Sequence, residues 1–132
     1  MNIYFRLCIG RPAAVLVLAA LTAAAGPSAL SRVSGGLWQI DREGAAPAKL
    51  CIANPAALAQ LEHRGAACKR AVVRDGAMET TIHYTCAGGG FGHSTITVLT
   101  PRSLRIQTQG IARDAPFNYT FQARRLGDCP AH

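Results

Sequence analysis

Four cysteines, Cys51, Cys68, Cys86 and Cys129, constrain this chain more than any other feature, because their chemistry depends on the compartment in which it folds. They are separated in turn by 16, 17 and 42 residues, so no two are close together. Zinc ligands come in close pairs and redox dithiols in C-x-x-C, so neither a metal site nor a thiol oxidoreductase is expected, and no cofactor is implied.

The N-terminal stretch decides the compartment. Residues 1–25 have the pattern of a secretory signal peptide. Arg6 and Arg11 occupy a charged first part with no acid, Ala13 to Leu21 form an apolar middle, and Ala23-Ala24-Ala25 fits a small-x-small cleavage site. Gly26-Pro27 then ends any helix. The apolar run is shorter than the ~20 residues a membrane span requires, so cleavage after Ala25 is expected rather than a transmembrane anchor. A cut near Ala29 is the alternative. Cys8 precedes the apolar run and leaves with the leader, and the separated arginines make no twin-arginine signal.

The expected product is a soluble exported protein, periplasmic or secreted, with a short lead-in over residues 26–34 and one β-rich domain over 35–130. Four cysteines in a small exported domain imply two disulfides. Three pairings are possible. The simplest joins Cys51 to Cys68 around a helix and Cys86 to Cys129, tying a central strand to the C-terminus.

With 49 % hydrophobic and 16 % charged residues the chain is apolar enough to fold, and with 6 % aromatics its core must be mostly aliphatic. Losing Arg6 and Arg11 lowers the formal charge from +7 to +5. Alternation places Trp38 and Ile40 on one strand face, Leu50 and Ile52 on another, and Met78, Thr80, Ile82 and Tyr84 on a third. Ile96 with Val98, Leu104 with Ile106, and Phe117, Tyr119, Phe121 and Ala123 continue the pattern. Asp75-Gly76 marks a hairpin, and 88–92 and 110–116 are expected loops. Asn54-Pro55 is a helix start, with Leu58 and Leu61 on one face and Gly65 as the stop. The fold class is therefore mainly β: an antiparallel meander of about seven strands, as a curled sheet or small open barrel with one short helix.

Gly36-Leu37-Trp38, Leu50-Cys51-Ile52 with Asn54-Pro55, the Cys68 and Cys86 positions, and Arg125-Leu126-Gly127-Asp128-Cys129 together resemble the domain-of-unknown-function 3617 family of small exported bacterial proteins. The resemblance covers residues 35–130. The closing Gly-Asp-Cys is its most specific part, and Gln39 stands where members often carry an acid. It implies export and this fold, and no activity comes with it.

No catalytic constellation stands out: there is no G-x-S-x-G, and the carboxylates fall in turns. The expected function is a non-catalytic binding or structural domain of the envelope. Its partner would be an envelope protein, an anionic polymer or a small apolar molecule, and export argues against nucleic acid. Candidate binding residues are Phe91, an aromatic within a glycine run, and Arg105 with Arg124, which share a polar face if the last strands are neighbours. One alternative is a small hydrolase using His83 and His93, brought together if their strands form a hairpin. The other is a carrier holding a small apolar ligand in the cavity of the curled sheet. Shape separates them: an apolar concave cavity favours binding, and a filled core favours a structural role.

Overall fold

The computed structural model describes residues 26–131, so the signal-peptide reading of 1–25 lies outside it. Seven antiparallel strands form one sheet: β1 (Gly36–Arg42), β2 (Ala48–Ile52), β3 (Cys68–Asp75), β4 (Glu79–Cys86), β5 (Phe91–Thr100), β6 (Ser103–Ala112) and β7 (Ala115–Gly127). Their order is β2-β1-β7-β6-β5-β4-β3, so β3 to β7 run as a meander and the β1–β2 hairpin is added beyond β7. The sheet is not closed; β2 and β3 are its edges.

The connection from β2 to β3 must therefore pass from one edge to the other. It does so through a 3-10 helical segment, Pro55–His63, that contacts β2, β4, β5 and β6. Asn54 caps its start, its side chain accepting from the Ala56 N–H at 3.0 Å, and Pro55 is the first residue, as expected. The segment is bent at Gln60, where φ and ψ are −113° and 35°, so it forms two short pieces rather than one α-helix. Leu58 and Ala59 are fully buried against the sheet.

This crossing explains the face pattern. Trp38, Ile40, Ile82, Ile96, Val98, Leu104, Ile106, Phe121 and Ala123 all face the helical segment and are buried. Burying these apolar side chains supplies the main driving force for the fold, at about 25 cal/mol per Å². Ser94 joins this inner face as a polar tie, its hydroxyl donating to the Ala59 carbonyl with Thr108 Oγ1 2.7 Å away. Met78, expected on the same face, lies before β4 begins and is exposed. The lead-in also contributes: Ala29, Leu30 and Val33 join the core, and Asp75 accepts from both the N–H and the hydroxyl of Ser28, each at 2.8 Å.

The disulfides differ from the simplest pairing. Cys51 bonds Cys129, and Cys68 bonds Cys86. Register is the cause. Cys68 lies directly opposite Cys86 in the β3–β4 hairpin, while β1 between β2 and β7 sets Cys51 opposite Leu37 and Leu37 opposite Gly127. The helical crossing carries Cys68 to the far edge from Cys51.

Two expected loops are shorter than the sequence suggested. β5 begins at Phe91, so the glycine loop covers only 87–90. The stretch expected as a loop over 110–116 is mostly strand, closed by the two residues Arg113 and Asp114, both at positive φ (49° and 61°). No helix among the described residues is long and apolar enough to cross a membrane.

Candidate functional site

The inner face is not filled to its end. Between the β1–β2 hairpin and the end of the helical segment lies a partly open cavity of about 420 Å³. Ile40 and Phe121 form its floor, Leu50 and Leu61 its sides, and Ala45, Ala46 and Ala48 its outer wall. The space follows from side-chain size. The hairpin connection turns at Gly44 (φ 76°) and continues through alanines, which are too small to fill the gap that Leu61 leaves. Arg42 and Arg64 are the two charged residues on the lining.

Arg42 is held in position. Its guanidinium carbon lies 4.6 Å from the centre of the Tyr119 ring, a cation–π arrangement. The Tyr119 hydroxyl donates to Glu62 Oε2 at 2.7 Å, and Glu62 Oε1 lies 3.4 Å from Arg113. Burial, then the hydrogen bond and charge of Glu62, push the Tyr119 phenol well above its ordinary range. Phe117, Tyr119 and Phe121 stack along β7 with ring centres 6.0 Å apart, on the single face expected.

A second polar contact lies further along the same face. The Tyr84 hydroxyl is 2.9 Å from His63 Nδ1. Burial, with a smaller contribution from Glu62, pushes this phenol up to about 12. His63 Nε2 is buried against Gly90 without a hydrogen-bond partner.

No protein-family profile, no curated protein and no solved structure matches this chain.

The residues singled out from sequence lie on the opposite, outer face. His83 and His93 are directly opposed across β4 and β5, with ring centres 6.1 Å apart. Among the described residues no third His, Cys, Asp or Glu joins them as a metal-binding group. Ser94 follows His93 in sequence but points to the inner face, where its hydroxyl is engaged with Ala59 and Thr108. Phe91 is 44 % exposed and stacks beside His83 at 6.3 Å, so it lies on the sheet rather than standing out on a loop. Arg105 pairs with Gln122 and Arg124 with Ser103 across β6 and β7, which puts both arginines on this outer face as expected. Beside them His93, Thr95, Gln107, Gln109, Asn118 and Thr120 border a polar hollow of about 260 Å³.

Sequence reasoning left a cavity in the curl of the sheet and a filled core as alternatives, and named none of these residues as a lining. The available signal was the alanine-rich connection between β1 and β2, with Arg42 before it and Arg64 closing the helix.

Proposed function

We propose that this chain is an exported, non-catalytic envelope domain, of the domain-of-unknown-function 3617 type, that holds a small apolar molecule between the β1–β2 hairpin and the helical segment. The cavity carries the reading. Its volume lies within the ~300–1,000 Å³ common for small-molecule sites, and its floor and sides are apolar, with a small number of polar groups at the margin. The two disulfides fit folding in an oxidising compartment, which supports the exported, periplasmic or secreted, reading of the leader pattern.

Native mass spectrometry of the protein exported with its own leader, beside a reduced and denatured aliquot, tests the proposal. The expected result is a chain starting at Gly26, about four hydrogens heavier on reduction, that carries an extra non-covalent mass or takes up an added apolar fluorophore. Ala46→Trp fills the cavity from its exposed wall and should abolish uptake while leaving the melting temperature within a few degrees. Uptake unchanged by Ala46→Trp, or no uptake of any apolar probe, would overturn the reading.

A further inference from the structure

We infer that the cavity is built for a single-chain amphiphile with one anionic head, the head meeting Arg42 and Arg64 and the tail lying on Ile40, Leu50, Leu61 and Phe121. This rests on the binding reading above and adds the ligand's chemical class.

The charge on the lining is one-sided: two arginines and no acid. An apolar ligand without a head would gain nothing from either guanidinium. Nearby acids are directed elsewhere. Glu62 is occupied by the Tyr119 hydroxyl and Arg113, and Glu43 lies outside the cavity lining, in a neighbouring groove that it shares with Arg42, Tyr119 and Thr120. Among the described residues the ion pairs are Arg113 with Glu62 and Arg125 with Asp128, so Arg42 and Arg64 are both available to an incoming anion.

The site is also preorganised. The Tyr119 ring supports the Arg42 guanidinium from one side, and Glu62 fixes the Tyr119 hydroxyl. A guanidinium restrained before binding loses less conformational freedom when it engages a planar carboxylate, which it can meet with two parallel N–H groups. The volume, towards the lower end of small-molecule sites, fits one short acyl chain rather than the two chains of a phospholipid.

Displacement of a bound apolar fluorophore from the mature disulfide-bonded protein tests this with three probes of equal chain length: decanoate, decyl phosphate and decanol. Both anions should compete at least about tenfold better than the alcohol, the effect of one charge-assisted hydrogen bond. Their ratio distinguishes a carboxylate from a phosphate head. Arg64→Gln, at an exposed position, should erase most of the preference for anions while decanol binds as before, and Arg42→Gln should do the same. Equal competition by all three probes, or a preference that survives both variants, would overturn the anionic head and leave the apolar pocket standing. Failure of every probe, and of the fluorophore itself, would remove both.

Discussion

Cys51 is bonded to Cys129 across an intervening strand, linking edge strand β2 to the tail that follows β7. The bridge therefore holds β1, with Trp38 and Ile40, between two covalently joined neighbours. Its sequence separation is 78 residues, against 18 for Cys68–Cys86.

The longer loop should matter more. In the chain-entropy treatment the two bridges contribute about 4.5 and about 3 kcal/mol. Replacing Cys51 and Cys129 together by Ala should lower the urea midpoint more than replacing Cys68 and Cys86 together. Proteolysis without reduction should release a peptide pair containing Cys51 and Cys129. A Cys51–Cys68 peptide would show that the register described above is wrong.

Alkaline pH should unfold the protein through two phenols. In a chain beginning at Gly26, Tyr84 and Tyr119 are the only tyrosines. Both are pushed up from 10.0, Tyr84 to about 12, mainly by burial. The folded state thus favours the protonated phenols. Their contribution is complete below the unfolded value near 10 and is lost as pH climbs through the folded values. Stability should fall above pH 10 by up to about 1.4 kcal/mol per pH unit for each tyrosine. Urea titrations at stepped pH check the slope, which Tyr84→Phe should roughly halve. Phenolate absorbance appearing at pH 10 in the folded protein would contradict it.

The success of the strand reading and the failure of the simplest disulfide pairing have one physical origin. Alternation was legible at Trp38 and Ile40, Leu104 and Ile106, or Phe117 to Ala123, because each of these strands turns one face into the same core. Which strands are neighbours is a non-local matter, and no local pattern at Cys51 reveals that residues 54–67 cross the whole sheet. The Cys68–Cys86 partnership was closer to hand, since the two flank the Asp75-Gly76 turn, although a register shift between Val72 and Arg74 is part of what sets them opposite each other. Arg113 and Asp114 hid their hairpin, because positive φ is a conformation that Gly and Asn signal and Arg does not. The pocket was hidden for another reason. Arg42 and Arg64 are ordinary surface cations until folding sets them on either side of a gap left by alanines.

Gly92 illustrates how a residue taken from sequence as part of a loop becomes a packing requirement. It lies in β5 directly opposite Tyr84, and the Tyr84 ring rests on it so closely that any Cβ would overlap the phenol carbons. From there the hydroxyl reaches His63 and ties β4 to the end of the helical segment. Gly92→Ala should therefore displace the ring and cost about 1–3 kcal/mol, the usual penalty for overpacking a close-fitted core. Tyr84→Leu, which removes the ring, should make the added methyl nearly harmless. The double variant would then be more stable than the sum of the two single losses predicts, with a coupling of about 1 kcal/mol or more, as expected for residues in contact. Urea unfolding of the four proteins completes the cycle. Strict additivity would mean that Tyr84 does not lie over Gly92 in solution.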